Sequence, residues 1–197
     1  MFSSFKIGVR LVAGFLLVAS ISLVVGLIGL SNAGNINEMA DRMYDRELLG
    51  VSYIKEANIN LIYIGRARGN FLLATSTEER ERQEAAIAKY STAVTDYVEK
   101  ARQLLITERG KQMFTSFDAA WGDYQREMKR ALGLAATKKL AERDEALLAA
   151  LETVRTKADA LDSALTEMTK LKEENAKEAS DVTTALYESS RTLMLTA

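Results

Sequence analysis

The chain of 197 residues contains no proline, no cysteine and no histidine. Average usage would supply about ten prolines over this length. Proline costs about 3 kcal/mol inside a helix and is at home in loops, so a chain without any has little loop in which to place it. Long helices are the expected structure. The other two absences remove chemistry: without histidine or cysteine there is no Ser-His-Asp triad, thiol nucleophile, disulfide or zinc site of the usual nitrogen and sulfur ligation. The 27 acidic residues leave acid–base pairs and oxygen-ligated metals open in principle. Pairs such as Glu78 and Glu81, or Glu173 and Glu174, read instead as solvated helix faces. Neither catalysis nor a metal or other cofactor is therefore expected.

What is present is 48% hydrophobic and 27% charged, a balance that excludes disordered and fibrous classes. Lys6 and Arg10 precede an uncharged run at residues 11–30, LVAGFLLVASISLVVGLIGL, and the next charge is Glu38. Twenty residues at 1.5 Å rise span about 30 Å, the hydrocarbon thickness of a bilayer. The run exceeds the roughly 7–15 apolar residues of a signal peptide, so it reads as a retained transmembrane helix at residues 11–31 behind a cytoplasmic stub at 1–10. The two basic residues place the amino terminus in the cytoplasm and the rest of the chain outside the membrane. Ser22 and Gly26, then Gly29 and Ala33, recur at four-residue spacing; this suits close approach of two membrane helices, or reflects only how frequent glycine is in such helices. At the other end Arg191 is followed by TLMLTA, which reads as the start of a second span at residues 191–197.

Between these ends, residues 32–190 form the expected exported domain. Removing Lys6 and Arg10 from 26 basic residues leaves 24 against 27 acidic ones, and no basic stripe points to nucleic acid. Four stretches of helical periodicity follow one another. The first continues the membrane helix through Val51, Ile54, Ala57, Leu61, Ile64 and Phe71 to about Ala74. Thr75, Ser76 and Thr77 before Glu78 and Glu79 stop it and cap the next. The second carries Ile87, Tyr90, Val94, Tyr97, Ala101 and Leu104 to about Ile106, where Glu108, Arg109 and Gly110 mark a turn. The third places Phe114, Phe117, Trp121, Tyr124, Met128, Ala131 and Ala135 on one face. The fourth keeps a heptad through Leu147, Leu151, Val154, Ala158, Leu161, Leu165 and Met168, with polar Lys172 and Asn175 in the same phase. Those two are either tolerated at a looser foot or set register. The expected fold is all-α, an antiparallel up-down-up-down four-helix bundle with membrane helices extending from its first and last helices. Helix one has a second apolar stripe, Ile59, Ile62 and Leu73, beside Ala57, Leu61, Ile64 and Phe71. It predicts a homodimer through helix one.

The order of these parts, with FKIGVRLVAGFLLV at the start, RGNFLLAT closing helix one and the spacing of Phe117, Trp121 and Tyr124, resembles the sensory part of a methyl-accepting chemotaxis protein. The resemblance spans the whole chain. It implies a four-helix-bundle ligand-binding domain in the periplasm, anchored in the bacterial inner membrane. A small ligand would bind in the membrane-distal third, its carboxylates held by arginine, with a downstream kinase complex as the cytoplasmic partner. At that height the bundle offers Arg66, Asn70 and Tyr63 on helix one, Tyr124, Arg126 and Arg130 on helix three and Thr153 on helix four. Arginine's planar fork pairs with carboxylates by two parallel hydrogen bonds. A di- or tricarboxylate such as malate or citrate is the expected ligand. The same module also suits a histidine kinase or cyclase sensor, or an anchored bundle that binds another protein without any ligand.

Overall fold

The computed structural model describes residues 7–140 and 142–196. Lys6 and most of the expected cytoplasmic stub lie outside the described residues, as does Ala197 at the expected second span. Among the described residues there are helices and no strands: α1 (Ile7–Arg42), a π-helical segment (Met43–Leu48), α2 (Leu49–Leu73), α3 (Thr77–Arg102), α4 (Glu108–Ala136) and α5 (Glu145–Thr196). The chain forms two compact units, residues 45–175 and residues 1–44 with 176–197.

The unit of residues 45–175 is the four-helix bundle, made by α2, α3, α4 and the first part of α5. Most of its core residues are those the periodicity singles out, but toward the end of α3 the buried positions are Val98 and Leu105, and the expected Tyr97 and Leu104 are only half-buried. Ile54, Ala57, Leu61 and Ile64 of α2 meet Ile87, Val94, Val98 and Ala101 of α3, Phe114, Phe117, Tyr124 and Met128 of α4, and Val154, Leu161, Leu165 and Met168 of α5. Each set recurs at three- and four-residue spacing, so one stripe of every helix is buried. Trp121 stacks between Phe117 and Tyr124, with ring centroids 6.2 and 5.5 Å away.

Short, well-capped turns join the helices. Ser76 accepts from the Glu79 amide at 3.2 Å, and the Glu79 carboxylate accepts from the Thr75 amide at 2.7 Å, a reciprocal cap that ends the first hairpin. Asp144 caps α5 by accepting from the Leu147 amide at 2.9 Å. Arg80 donates to the carbonyls of Ala135 and Lys138 at the end of α4 and covers the Phe71 ring, so one side chain ties three helix ends together. A cation at those carbonyls also matches the helix dipole.

Two expectations of helix one and helix two are corrected. Glu108, Arg109 and Gly110 are the first turn of α4 rather than the turn before it, because Thr107 is the cap and accepts from the Gly110 amide at 3.1 Å. Helix one is not one regular α-helix. The π-helical segment interrupts it at Met43–Leu48 and buries Glu47, a residue no apolar pattern marks.

In the unit of residues 1–44 with 176–197, α1 runs beside the end of α5. Asn32 donates to Ser190 at 2.6 Å, and Thr183 donates to the sulfur of Met39 at 3.2 Å. Gly29 lies where an added Cβ would stand 3.7 Å from the Met194 sulfur. Among the described residues one helix, the one that starts at Ile7, is long and apolar enough to cross a membrane, and no residue of its apolar window is buried.

Candidate functional site

The hairpin of α2 and α3 sets positions equally far from its turn opposite one another. Tyr63, Arg66 and Asn70 lie on one face of α2 at spacings of three and four, and Gln83 and Tyr90 lie on the facing side of α3. With Ala67 and Ala86 as a small-residue floor they enclose a groove of about 360 Å³. Tyr63 and Tyr90 form one wall, their centroids 5.2 Å apart and their planes tilted by 46°. The Arg66 guanidinium stands over the Tyr63 ring, 5.3 Å from its centroid. That contact orients the guanidinium without neutralising it. Among the described residues no carboxylate pairs with Arg66, and its side chain is exposed. Toward the tip, Asn70 and Gln83 are shared with a second hollow of about 240 Å³ that adds Arg82 and Glu79.

Three of the seven residues singled out from the sequence, Tyr63, Arg66 and Asn70, thus line one groove. The other four stand elsewhere on the bundle. Arg126 bonds Asp123 within α4, and Asp123 is shared with Lys157 of α5 at 3.2 Å. Arg130 donates to Glu127 at 2.8 Å. Both guanidiniums already hold carboxylates one turn away. The Thr153 hydroxyl donates to the Ala149 carbonyl at 3.0 Å, inside its own helix. Tyr124 is buried beside Trp121 and lines a different hollow of about 500 Å³ between α3 and α4, with Phe71, Ile87, Met128 and Leu132. Burial pushes its phenol up to about 12, with the Arg68 charge opposing, so it remains an O–H donor at any physiological pH.

Gln83 of the groove and Arg82 of the adjoining hollow are residues that sequence reasoning left out, and Tyr90 it named only on the apolar stripe of helix two. Their signal was present in the hairpin: once the turn is fixed at residues 74–76, the positions facing Arg66 and Asn70 follow by counting. Arg82 lies beside Glu79, whose carboxyl is held below the usual carboxylate range first by the Thr75 amide and hydroxyl.

A bundle of four antiparallel helices with a polar groove near its α2–α3 turn, and a long apolar helix on the same chain, fit a sensory module. The chain matches the family described as a four-helix-bundle sensory module for signal transduction over residues 4–187, and it belongs to that family, the sensory modules of chemotaxis receptors. No curated protein and no solved structure matches the chain.

Proposed function

We propose that the chain is the ligand-binding part of a chemoreceptor that senses a small organic anion, held in the α2–α3 groove by Arg66. The observation that carries this reading is a guanidinium with no carboxylate partner among the described residues, fixed over Tyr63 inside a groove whose other polar groups are Asn70, Gln83 and the two tyrosine hydroxyls. A carboxylate entering there would take two parallel hydrogen bonds from Arg66, while Asn70 and Gln83 are within the same groove for its remaining oxygens. Arg82, toward the tip, suits the second carboxylate of a di- or tricarboxylate such as malate or citrate. Arg126 and Arg130, already paired, contribute charge to the field around the tip rather than direct bonds.

The reading places residues 32–190 in the periplasm, α1 across the inner membrane from about residue 11 to 31 and the last residues of the chain at a second span. Ligand binding then acts by differential affinity for two bundle arrangements, displacing α5 against α2 by about 1–2 Å toward the membrane and a downstream kinase complex. Dimerisation through helix one is supported by its second apolar stripe: Ile59, Ile62 and Leu73 are 40%, 58% and 64% exposed on α2. Titration calorimetry of the full chain in detergent micelles with mono-, di- and tricarboxylates tests the site. At least one acid is expected to bind, and Arg66→Ala should weaken it by about tenfold or more, the worth of a charge-assisted pair. Binding that ignores Arg66→Ala would remove the site.

A further inference from the structure

The buried stripe of α5 runs through Leu161, Leu165 and Met168 and then, one turn later, reaches a lysine. Lys172 is 0% exposed. An ammonium has three donors and no acceptor, and burying it is tolerated only when each donor is met. Here each is. Nζ donates to the Arg46 carbonyl at 2.9 Å, to Oε2 of Glu47 at 3.1 Å and to the Leu104 carbonyl at 2.5 Å. The first two acceptors belong to the π-helical segment and the third to the turn that follows α3. One side chain of α5 thus reaches two other elements of the same unit.

The seat is built for this lysine from both sides. A π-helical turn replaces i→i+4 bonding by i→i+5 and so opens the carbonyl ladder to an outside donor, which is the role the Arg46 carbonyl plays. It also turns Glu47 inward, to 9% exposure. Gly50, one residue past the start of α2, provides the space: a Cβ there would stand 2.5 Å from Cε of Lys172 and 3.2 Å from Nζ. The colliding atoms are the far end of a flexible side chain, so a larger residue at position 50 would expel the ammonium and leave the helix backbone in place. Glu47 and Arg46 are the charged side chains at the seat; Arg46 reaches Oε1 of Glu47 at 3.8 Å. Burial pushes the Lys172 ammonium below the ordinary lysine range and Glu47 pulls it back.

We propose that Lys172, Gly50, Glu47 and the π-helical turn form a register clasp on α5. With the ammonium seated, α5 has one axial position against α2, because three bonds to fixed acceptors are satisfied at that position only. With the ammonium released, the apolar heptad above it is free to slip, since leucine and valine knobs fit successive holes almost equally well. Buried polar groups in coiled-coil seams are best attested in this role of fixing register. The clasp lies apart from the α2–α3 groove and sets the resting axial position from which an anion bound there would have to displace α5.

The chain has no cysteine, so paired spin labels can be introduced cleanly. Lys55 on α2 and Glu174 on α5, both exposed, serve as label sites in the full chain in micelles. The unaltered clasp should give a single narrow distance. Gly50→Ala and Lys172→Met should each broaden it or add a second population displaced by up to a helical turn, about 5.4 Å. Circular dichroism checks that each variant is helical. Gly50→Ala keeps the test decisive if Lys172→Met does not fold, because alanine is the better helix former. Adding Lys172→Met to Gly50→Ala should make the distribution no broader than either change alone, as both empty the same seat. A single native distance in both Gly50→Ala and Lys172→Met, or full additivity in the pair, would overturn the clasp.

Discussion

Arg66, Arg126 and Arg130 have the same chemistry and nearly the same height in the bundle, and their neighbours give them different roles. Asp123 and Glu127 sit three residues before Arg126 and Arg130, the spacing at which side chains on a helix meet, so these two arginines are answered locally. Arg66 has Tyr63 at that position instead and keeps its charge available. This distinction was legible in the sequence, because it depends only on i, i+3 spacing, whereas the shared height drew attention to all three. Glycines separate in the same way. An added Cβ at Gly110 would stand 2.9 Å from the Leu105 carbonyl and 3.0 Å from its Cβ, while one at Gly133 meets nothing within 4 Å. Gly110→Ala should therefore lower the urea midpoint. Gly133→Ala should raise stability by about 0.5–1 kcal/mol, the usual gain from replacing an exposed helical glycine. Opposite signs for two identical substitutions in one helix, read by denaturant unfolding, are the expected outcome; a gain at Gly110 would contradict the close contact.

At the scale of the helices, the buried stripes and the Ser76 cap follow from periodicity and local hydrogen bonding, and both could be read in the chain. The π-helical segment could not. Its six residues, MYDREL, have nothing to mark them locally, and its reason is tertiary: the seat of a lysine more than a hundred residues later. Gly110 misled for a related reason, since a glycine at a helix end commonly signals a stop, and here close packing against Leu105 requires it at a start. The helix caps carry a pH dependence with a definite sign. Glu78, Glu79 and Asp144 are held below the usual carboxylate range, the first two mainly by backbone amides and Asp144 first by Lys138. Asp123, bonded by Lys157, is shifted the same way. The unfolded chain takes up protons on these groups at higher pH than the folded one. Their stabilisation is therefore complete above the ordinary carboxylate range and is lost as the pH falls through and below it. Urea midpoints of the full chain should drop between about pH 6 and pH 3, and Asp144→Asn should flatten that slope. An unchanged midpoint over this range would refute the caps' contribution.

At the scale of the molecule, the absence of proline bears on the proposed transmission of a displacement. A displacement of about an ångström is carried along a helix only if no kink absorbs it, and α5 runs for 52 residues without a proline to interrupt it. The exposed stripe of α2 belongs to the same scale, because an apolar strip on a bundle whose core is already filled needs a partner outside it. In the proposed dimer, copies carrying Ile62→Cys should form a disulfide-linked pair in the full chain, whereas copies carrying Lys129→Cys, on the exposed side of α4, should not. Equal cross-linking at both positions, seen on a non-reducing gel, would count against pairing through helix one. The four-helix fold was legible almost whole, since each buried stripe is a one-dimensional pattern. The groove was legible by half, since its α2 side was named and its α3 side emerges only when the hairpin is closed.

The central claim is that a small organic anion binds in the α2–α3 groove through Arg66, and calorimetric titration of the full chain in micelles tests it most directly. For an acid that binds, Arg66→Ala should raise Kd by about tenfold or more, and Arg130→Ala, already neutralised by Glu127, should change it by less than about threefold. An acid that binds both variants equally well, or a panel in which no acid binds at all, would contradict the account.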